Sequence, residues 1–264
     1  MTDSRRSNMT SWDPARYLRF GDERTRPACE LASRIALVAP RSVIDLGCGP
    51  GNSTQVLRQR WPNARVCGLD SSPEMIIAAQ QAYPDQEWLL ANIVGWAPDV
   101  PHDVLFSNAA LQWVDNHIIL ARHLFNQVAP GGALAFQIPS GAYSALRSFI
   151  HDIAQDKAWG SRMDGPRAAL TMEEPNVYYD ALAPLATSVD IWETEYFHVM
   201  ESPASIVEWI SSTGLRPFLA ALDSAKEKQR FVAFLTERVT AAYVTRSDGR
   251  VLFPFKRIFV IAYS

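Results

Sequence analysis

The densest chemistry in the 264-residue sequence lies in one short run, Val43 to Thr54 (VIDLGCGPGNST). An apolar stretch ends in Gly47-Cys48-Gly49-Pro50-Gly51, and a helix-like pattern begins at once. Glycines at such a junction permit a tight turn and let a ligand approach the backbone, while the helix start offers N–H groups to an anion. A carboxylate, Asp70, closes the next apolar run 19 residues after Gly51, placed to accept hydrogen bonds from both hydroxyls of a ribose. A second acid, Asp45, stands two positions before Gly47. It suits a ligand ammonium and would repel a pyrophosphate. The spacing also departs from Gly-x-Gly-x-x-Gly, because Asn52 occupies the place of the third glycine of a dinucleotide loop. A ligand with an amine, a carboxylate, a sulfonium and an adenosine meets all these demands, which describes S-adenosylmethionine. The competing reading is a plain glycine turn with Asp70 as a helix cap.

No Ser/His/Asp or Cys/His constellation stands out, and no metal-ligand spacing is present; Cys29, Cys48 and Cys67 read as small core or loop residues of a reducing compartment. Twenty-five basic against 28 acidic residues give a net charge of -3, which disfavours a general nucleic-acid or anionic-membrane binder. No apolar run reaches the roughly 18 residues of a membrane span, and Met1 to Trp12 is polar, so a cytoplasmic protein is expected. The basic residues are 21 Arg and only 4 Lys. This is either a codon bias or a demand for planar forks that hold carboxylates bidentately.

Around these residues the chain alternates apolar strands and helical stripes. Strands are expected at Ser42–Leu46, Arg65–Leu69, Glu87–Leu90, Val104–Ser107 and Ala133–Ile138, the last after a Pro130-Gly131-Gly132 turn. Helices are expected at Thr25–Ala39, Asn52–Trp61 (capped by Asn52 or Ser53), Pro73–Ala82 and Asn116–Val128. Strand and helix at this spacing argue a parallel sheet with helices on both faces, and right-handed crossovers make it doubly wound. Beyond residue 140 the rhythm changes. Residues 140–187 and 203–245 read as mainly helical, Val189–Met200 as a long strand, and Val251–Tyr263 as β structure after a hairpin-like Ser247-Asp248-Gly249 return.

VIDLGCGPGNST followed by Gly68-Leu69-Asp70 resembles the first motifs of the class I S-adenosylmethionine-dependent methyltransferases. Asp70-Ser71-Ser72-Pro73-Glu74-Met75 is similar to the family's ribose turn, Ala91-Asn92-Ile93 to its adenine loop, Phe106 to Trp113 to the segment beside the transferable methyl, and Val128 to Ile138 to its fifth strand. The resemblance spans residues 43–138. It implies an α/β, Rossmann-like doubly wound, mostly parallel seven-stranded sheet with helical insertions forming a cap. The implied layout is a lid segment at 1–24 and a core at 25–140. Strands near 188–200 and 251–263 complete that core, and cap insertions lie at 141–187 and 201–249.

The flanks are narrower in their likeness. Trp12 to Phe20, Asp22 to Ala28, Asn108 with Leu111-Gln112-Trp113, and Val251 to Arg257 are similar to the trans-aconitate 2-methyltransferases. The resemblance implies S-adenosylmethionine as cofactor, a small polycarboxylate as substrate, and no obligate protein partner. A carrier-bound malonyl group is the alternative acceptor, and a non-catalytic cofactor-binding regulator the remote one. The implied cofactor contacts are Trp12, Tyr17, Arg26, Asp45, Gly47, Cys48, Gly49, Asn52, Asp70, Ser71, Met75, Asn92, Ile93, Asn108, Ala109 and Trp113. Trp12 and Tyr17 either close an aromatic lid over the sulfonium or anchor the N-terminus, and Trp113 either meets the methyl or simply packs. A carboxylate acceptor is ionised at neutral pH and needs no general base, so no catalytic side chain is expected. Cations must instead hold the acid: Arg257 and Arg216 first, then Tyr143, Tyr17 and Arg24, with a surface ion pair the rival role for each Arg. His117 is read as a helix cap.

Overall fold

The computed structural model describes residues 21–140, 145–169 and 172–264. The chain divides into two compact units. Among the described residues, the first consists of 21–140, 173–194 and 257–264, and the second of 145–169, 172 and 195–256.

Among the described residues seven strands form one sheet in the order β3-β2-β1-β4-β5-β7-β6. They are β1 (Ser42–Leu46), β2 (Arg65–Asp70), β3 (Glu87–Leu90), β4 (His102–Asn108), β5 (Val128–Pro139), β6 (Ser188–Met200) and β7 (Val251–Tyr263). Strands β1 to β5 pair in parallel, and β7 runs antiparallel to β5. The order reverses between β1 and β4, the point at which open parallel sheets bind ligands beyond their carboxyl ends. Asp70 and Asn108 close β2 and β4 at that end. The register Pro139↔Arg257 brings Arg257 of β7 to the same end of the sheet.

Helices α1 (Gly21–Arg34), α2 (Asn52–Arg60), α3 (Pro73–Ala82) and α4 (His117–Phe125) cover the sheet, with α7 (Pro175–Leu182) later in the chain. The core is continuous across these elements and includes Leu46, Leu69, Leu105, Phe136, Tyr178, Ile258 and Val260. Apolar side chains on both faces of β1, β4 and β5 explain why these strands lack polar alternation. Several boundaries differ from the sequence reading for local reasons. Helix α1 starts at Gly21 and ends at Arg34 rather than Ala39, and Pro40 disfavours helical geometry at Ala39 itself. Arg60 Nη2 (2.7 Å) and Trp61 Nε1 (3.0 Å) donate to the Ile35 and Leu37 carbonyls freed there. Pro130-Gly131-Gly132 is not a turn before β5 but a bulge inside it, since the register jumps from His102↔Val128 to Val104↔Ala133. The Ser247–Gly249 turn joins a helix to β7 and so makes no hairpin.

The second unit is helical apart from the ends of β6 and β7. Helices α5 (Ala145–Ala154), α8 (Pro203–Ser211) and α10 (Ala225–Ala242) pack together, joined by short α6 (Asp164–Ala169) and α9 (Arg216–Ala220). Trp159, Phe218 and Phe231 fill its centre. A capping box formed by Ser224 and Glu227 starts α10, and Arg162 bridges Glu227 (2.9 Å) and Asp223 (2.7 Å).

His117 does not cap its helix. Asn116, in the left-handed region (φ 55), is the N-cap, and buried His117 Nε2 meets the Tyr178 hydroxyl at 2.8 Å. Burial holds the His117 imidazole below its usual range and the Tyr178 phenol above its own, so the pair is a neutral clamp between α4 and α7. Tyr178→Phe leaves the buried ring nitrogen without this hydroxyl and should cost about 1–3 kcal/mol, read as a lowered urea midpoint at unchanged slope. A midpoint equal to wild type would show that the ring had found another partner.

Candidate active site

The β1–α2 turn is built by backbone rather than by side chains. Leu69 O accepts from the amides of Gly47 (2.7 Å) and Cys48 (2.9 Å), Asp70 Oδ2 accepts from Gly49 N (2.9 Å), and Cys48 O accepts from Gly51 N (3.1 Å). Pro50 has no amide hydrogen, so every N–H from 47 to 51 is spoken for within the fold. A pyrophosphate loop requires such groups to point free at the anion; this one offers close approach instead. Gly47 (φ 76) sits where an added Cβ would collide with Ala110 Cβ, and at Gly51 (φ 96) it would lie 2.6 Å from Trp88 Cη2. Trp88 also fills the place of a Gly68 side chain, so one indole on β3 locks the loop against β2.

Helix α2 differs from expectation at its first turn. Gly51 is the N-cap, with no side-chain cap, because only glycine adopts its left-handed geometry cheaply. Asn52 opens the helix half-buried, and Ser53 turns inward. There the Ser53 (2.6 Å) and Thr54 (2.7 Å) hydroxyls both donate to Asp45 Oδ2. Asp45 has no exposed surface, and its Oδ1 has no partner among the described residues. The carboxylate expected to meet a ligand ammonium tethers α2 to β1 through this one oxygen. Burial, opposed by the two hydroxyls, pushes its pKa up to about 6.

Asp70 is only half-buried. Its Oδ1 accepts from Ser72 N (2.8 Å) and its Oδ2 from Gly49 N (2.9 Å). Each oxygen keeps a second lone pair, which suits two neighbouring ribose hydroxyls. Burial raises its pKa and the amides of Ser72, Gly49 and Ser71 oppose the rise. Exposed Ser71 follows it, while Ser72 caps α3 through Met75 N (3.3 Å), which leaves Met75 buried at the helix start. Asp70 O accepts from Ala91 N (3.0 Å), anchoring the adjacent loop. In that loop Asn92 is exposed, with Oδ1 turned to Val94 N (2.9 Å), and Ile93 is buried.

At the end of β4, Asn108 and Ala109 are half-buried, and Ala109 holds the left-handed conformation (φ 56) beside Gly47's neighbour Ala110. Trp113 is half-buried in a 3-10 turn, Leu111–Trp113. Arg257, 4% exposed, donates through Nη1 to Gln137 Oε1 (3.1 Å), Gln137 Nε2 donates to Asn108 Oδ1, and Asn108 Nδ2 donates to Arg24 O (3.4 Å). Thus Arg24, expected in a terminal lid, is a buried residue of α1 whose carbonyl ends this chain, while Arg26 is exposed on the same helix. Cys48 is buried, and burial raises its thiol. Arg216 opens α9 in the helical unit, half-buried, and burial lowers its pKa. Arg147 on α5 is likewise half-buried, and burial lowers its pKa. Trp12, Tyr17 and Tyr143 lie outside the described residues. Among the described residues no cluster of His, Cys, Asp or Glu could hold a metal, and no helix is long and apolar enough to cross a membrane.

A methyltransferase-domain model matches residues 19–176. Trans-aconitate 2-methyltransferase of Rhodopseudomonas palustris (strain BisB5) is 44% identical over 255 residues, 96% of this chain and 99% of that protein. The enzyme of the same name from Acidovorax ebreus (strain TPSY) is 46% identical over 257 residues, 96% of this chain and 98% of its own. The chain belongs to the trans-aconitate 2-methyltransferase family. Among solved structures, the YcgJ protein of Bacillus subtilis superposes with TM-score 0.58 at 13% identity, covering 90% of this chain and 98% of that one. A Haemonchus contortus phosphoethanolamine N-methyltransferase solved with S-adenosyl-L-methionine does so with TM-score 0.58 at 14% identity, covering 94% and 56%. This methyltransferase is S-adenosylmethionine-dependent, and the Gly47–Gly51 approach with the open lone pairs of Asp70 fits that cofactor.

Removing those lone pairs by Asp70→Ala should raise the cofactor dissociation constant roughly 10- to 150-fold, from about 1.5–3 kcal/mol of charge-assisted hydrogen bonding. Calorimetry at matched thermal midpoint checks it, and unchanged affinity would place the ribose elsewhere. For Asp45, a folded-state pKa above the unfolded value means that the bound proton stabilises the fold below pH ~4. That contribution is lost as pH rises through about 6. The stability of wild type relative to Asp45→Asn should accordingly fall by roughly 2 kcal/mol between pH 4 and pH 7. Urea unfolding across that range reads the slope; a flat difference would locate the ionisation outside it.

Proposed function

We propose that this methyltransferase esterifies one carboxylate of trans-aconitate or a closely similar small polycarboxylate, giving a monomethyl ester and S-adenosylhomocysteine. The observation that carries the reading is Arg257, a buried guanidinium set at the carboxyl end of the sheet by its register with Pro139. A buried cation at that end suits an anionic acceptor, and its planar fork suits a carboxylate.

Bound in the crevice, S-adenosylmethionine supplies an electrophilic methyl on sulfur. A carboxylate oxygen bonds to that carbon as the carbon–sulfur bond breaks, the electron pair stays on sulfur, and no proton moves. The protein then has three tasks. The β1–α2 turn admits the cofactor against backbone, and Asp70 fixes its ribose. Arg257 holds a carboxylate that does not react, so that the reacting one is presented in line. The surrounding apolar core excludes water, which strengthens each charged contact. Orientation of this kind can supply about 7–11 kcal/mol of the barrier without any general base. The acceptor is taken as a free small molecule, without a carrier protein.

Two measurements test this. Incubation with labelled cofactor and a panel of di- and tricarboxylates should give ester with trans-aconitate, identified by mass; no ester from any acid removes the reading. Arg257→Met should raise the KM for the acid roughly 10- to 150-fold, from about 1.5–3 kcal/mol of charged hydrogen bonding, with cofactor affinity kept. Parallel loss of both affinities would assign Arg257 to folding alone.

A further inference from the structure

One polar side chain stands in the apolar run of β5 (ALAFQI): Gln137, with no exposed surface. It faces Arg257 on β7 on one side and Asn108 on β4 on the other, its own carbonyl taking the Ala109 amide at 2.9 Å. A buried amide costs free energy unless its atoms are paired, and this one is paired in only one sense. Guanidinium can donate but not accept. Gln137 must therefore turn Oε1 to Arg257 and Nε2 to Asn108. Asn108 must then accept through Oδ1, which leaves Nδ2 for the Arg24 carbonyl. The orientation of both amides follows from the charge at the end of the chain.

We propose that Gln137 is a positioning residue for methyl transfer: through this one-way chain it sets the guanidinium plane of Arg257 and the edge that Asn108 presents at the end of β4, and thereby the fit of a polycarboxylate it does not touch. The proposal rests on the reading of Arg257 as a carboxylate anchor. It differs from a packing role because it depends on the polarity of the side chain and not on its volume. Leucine at 137 removes both contacts. Glutamate, nearly the same shape, can satisfy Arg257 but as a carboxylate only accepts. It neutralises the cation and forces Asn108 to turn its Oδ1 toward the Arg24 carbonyl.

The test uses the full chain with Gln137→Leu and Gln137→Glu at pH 8. It measures kcat and KM for trans-aconitate and for itaconate, which lacks one carboxylate. Calorimetry gives the Kd of S-adenosylhomocysteine, and that of trans-aconitate in its presence. Both variants should lose at least tenfold in affinity for trans-aconitate and at least threefold less than that in affinity for S-adenosylhomocysteine. Their preference for trans-aconitate over itaconate should fall by at least tenfold. Wild-type affinity for trans-aconitate in the glutamate variant would overturn the proposal, as would cofactor affinity falling in proportion to acid affinity in both. Should leucine prevent folding, the near-isosteric glutamate decides alone. Failure of the acceptor reading is seen separately, in wild type, as acid binding without ester, and the relay is then read from the acid Kd.

Discussion

The carbonyl of Leu69 taking two amides from the β1–α2 turn is the constraint on which the site depends. A single acceptor on β2 draws Gly47 and Cys48 across from the neighbouring strand. Asp70, the next residue, completes the closure through Gly49. The turn can be this tight only because glycine tolerates left-handed geometry and no side chain obstructs Ala110 or Trp88. Once the loop amides are consumed internally, what remains for a ligand is bare backbone at contact distance, a half-buried carboxylate and the first turn of α2. That inventory separates this crevice from a pyrophosphate site on the same kind of fold.

The polar groups at this end of the sheet are held to different depths. Asp45 with Ser53 and Thr54, and Gln137 with Asn108 and Arg257, sit within or against a continuous apolar core. In a low-dielectric interior an imperfectly paired group is costly and a well-paired one is rigid. Asp45 carries that cost as a pKa raised to about 6, and what it secures is the angle at which α2 leaves the sheet. Asp70, by contrast, keeps both surface and spare lone pairs. The Asp45 contacts fix backbone, and half-buried Asp70 keeps lone pairs beyond its two amide bonds.

Much of this arrangement is legible in the sequence because it rests on local rules. Gly47, Gly49 and Gly51 mark the turn, and Asp70 marks the end of a strand whose apolar run is unambiguous. Alternation of strand and helix dictates the doubly wound order. What escapes is decided by tertiary neighbours. The pattern around Asp45 does not say whether its carboxylate faces a ligand or the hydroxyls of Ser53 and Thr54, since both lie within reach of the end of β1. The helical stripe through Ala39 ends early, at Arg34, and side chains of Arg60 and Trp61 at the end of α2 take the carbonyls of Ile35 and Leu37 beyond it. Pro130-Gly131-Gly132 has the composition of a turn, yet β4 continues past it and absorbs the extra residues as a bulge. Gln137 left a signal, a lone amide in an apolar strand, but its partners come from β4 and β7, and the C-terminal strand is distant in sequence.

A positioning enzyme can dispense with a general base only if its acceptor arrives already charged and its cations are held still. Carboxylates meet the first condition at neutral pH. The second is harder, because a guanidinium on a mobile stem loses rotamer freedom whenever it grips a ligand. If Arg257 grips the acid as proposed above, its burial in β7 and its pairing with an amide from the adjacent strand remove that freedom during folding, before the acid binds. The cost is then charged to stability rather than to affinity, the sense in which a preorganised site favours the transition state without reorganising for it. A lysine at the same point could offer the charge but not the planar geometry that one amide fixes.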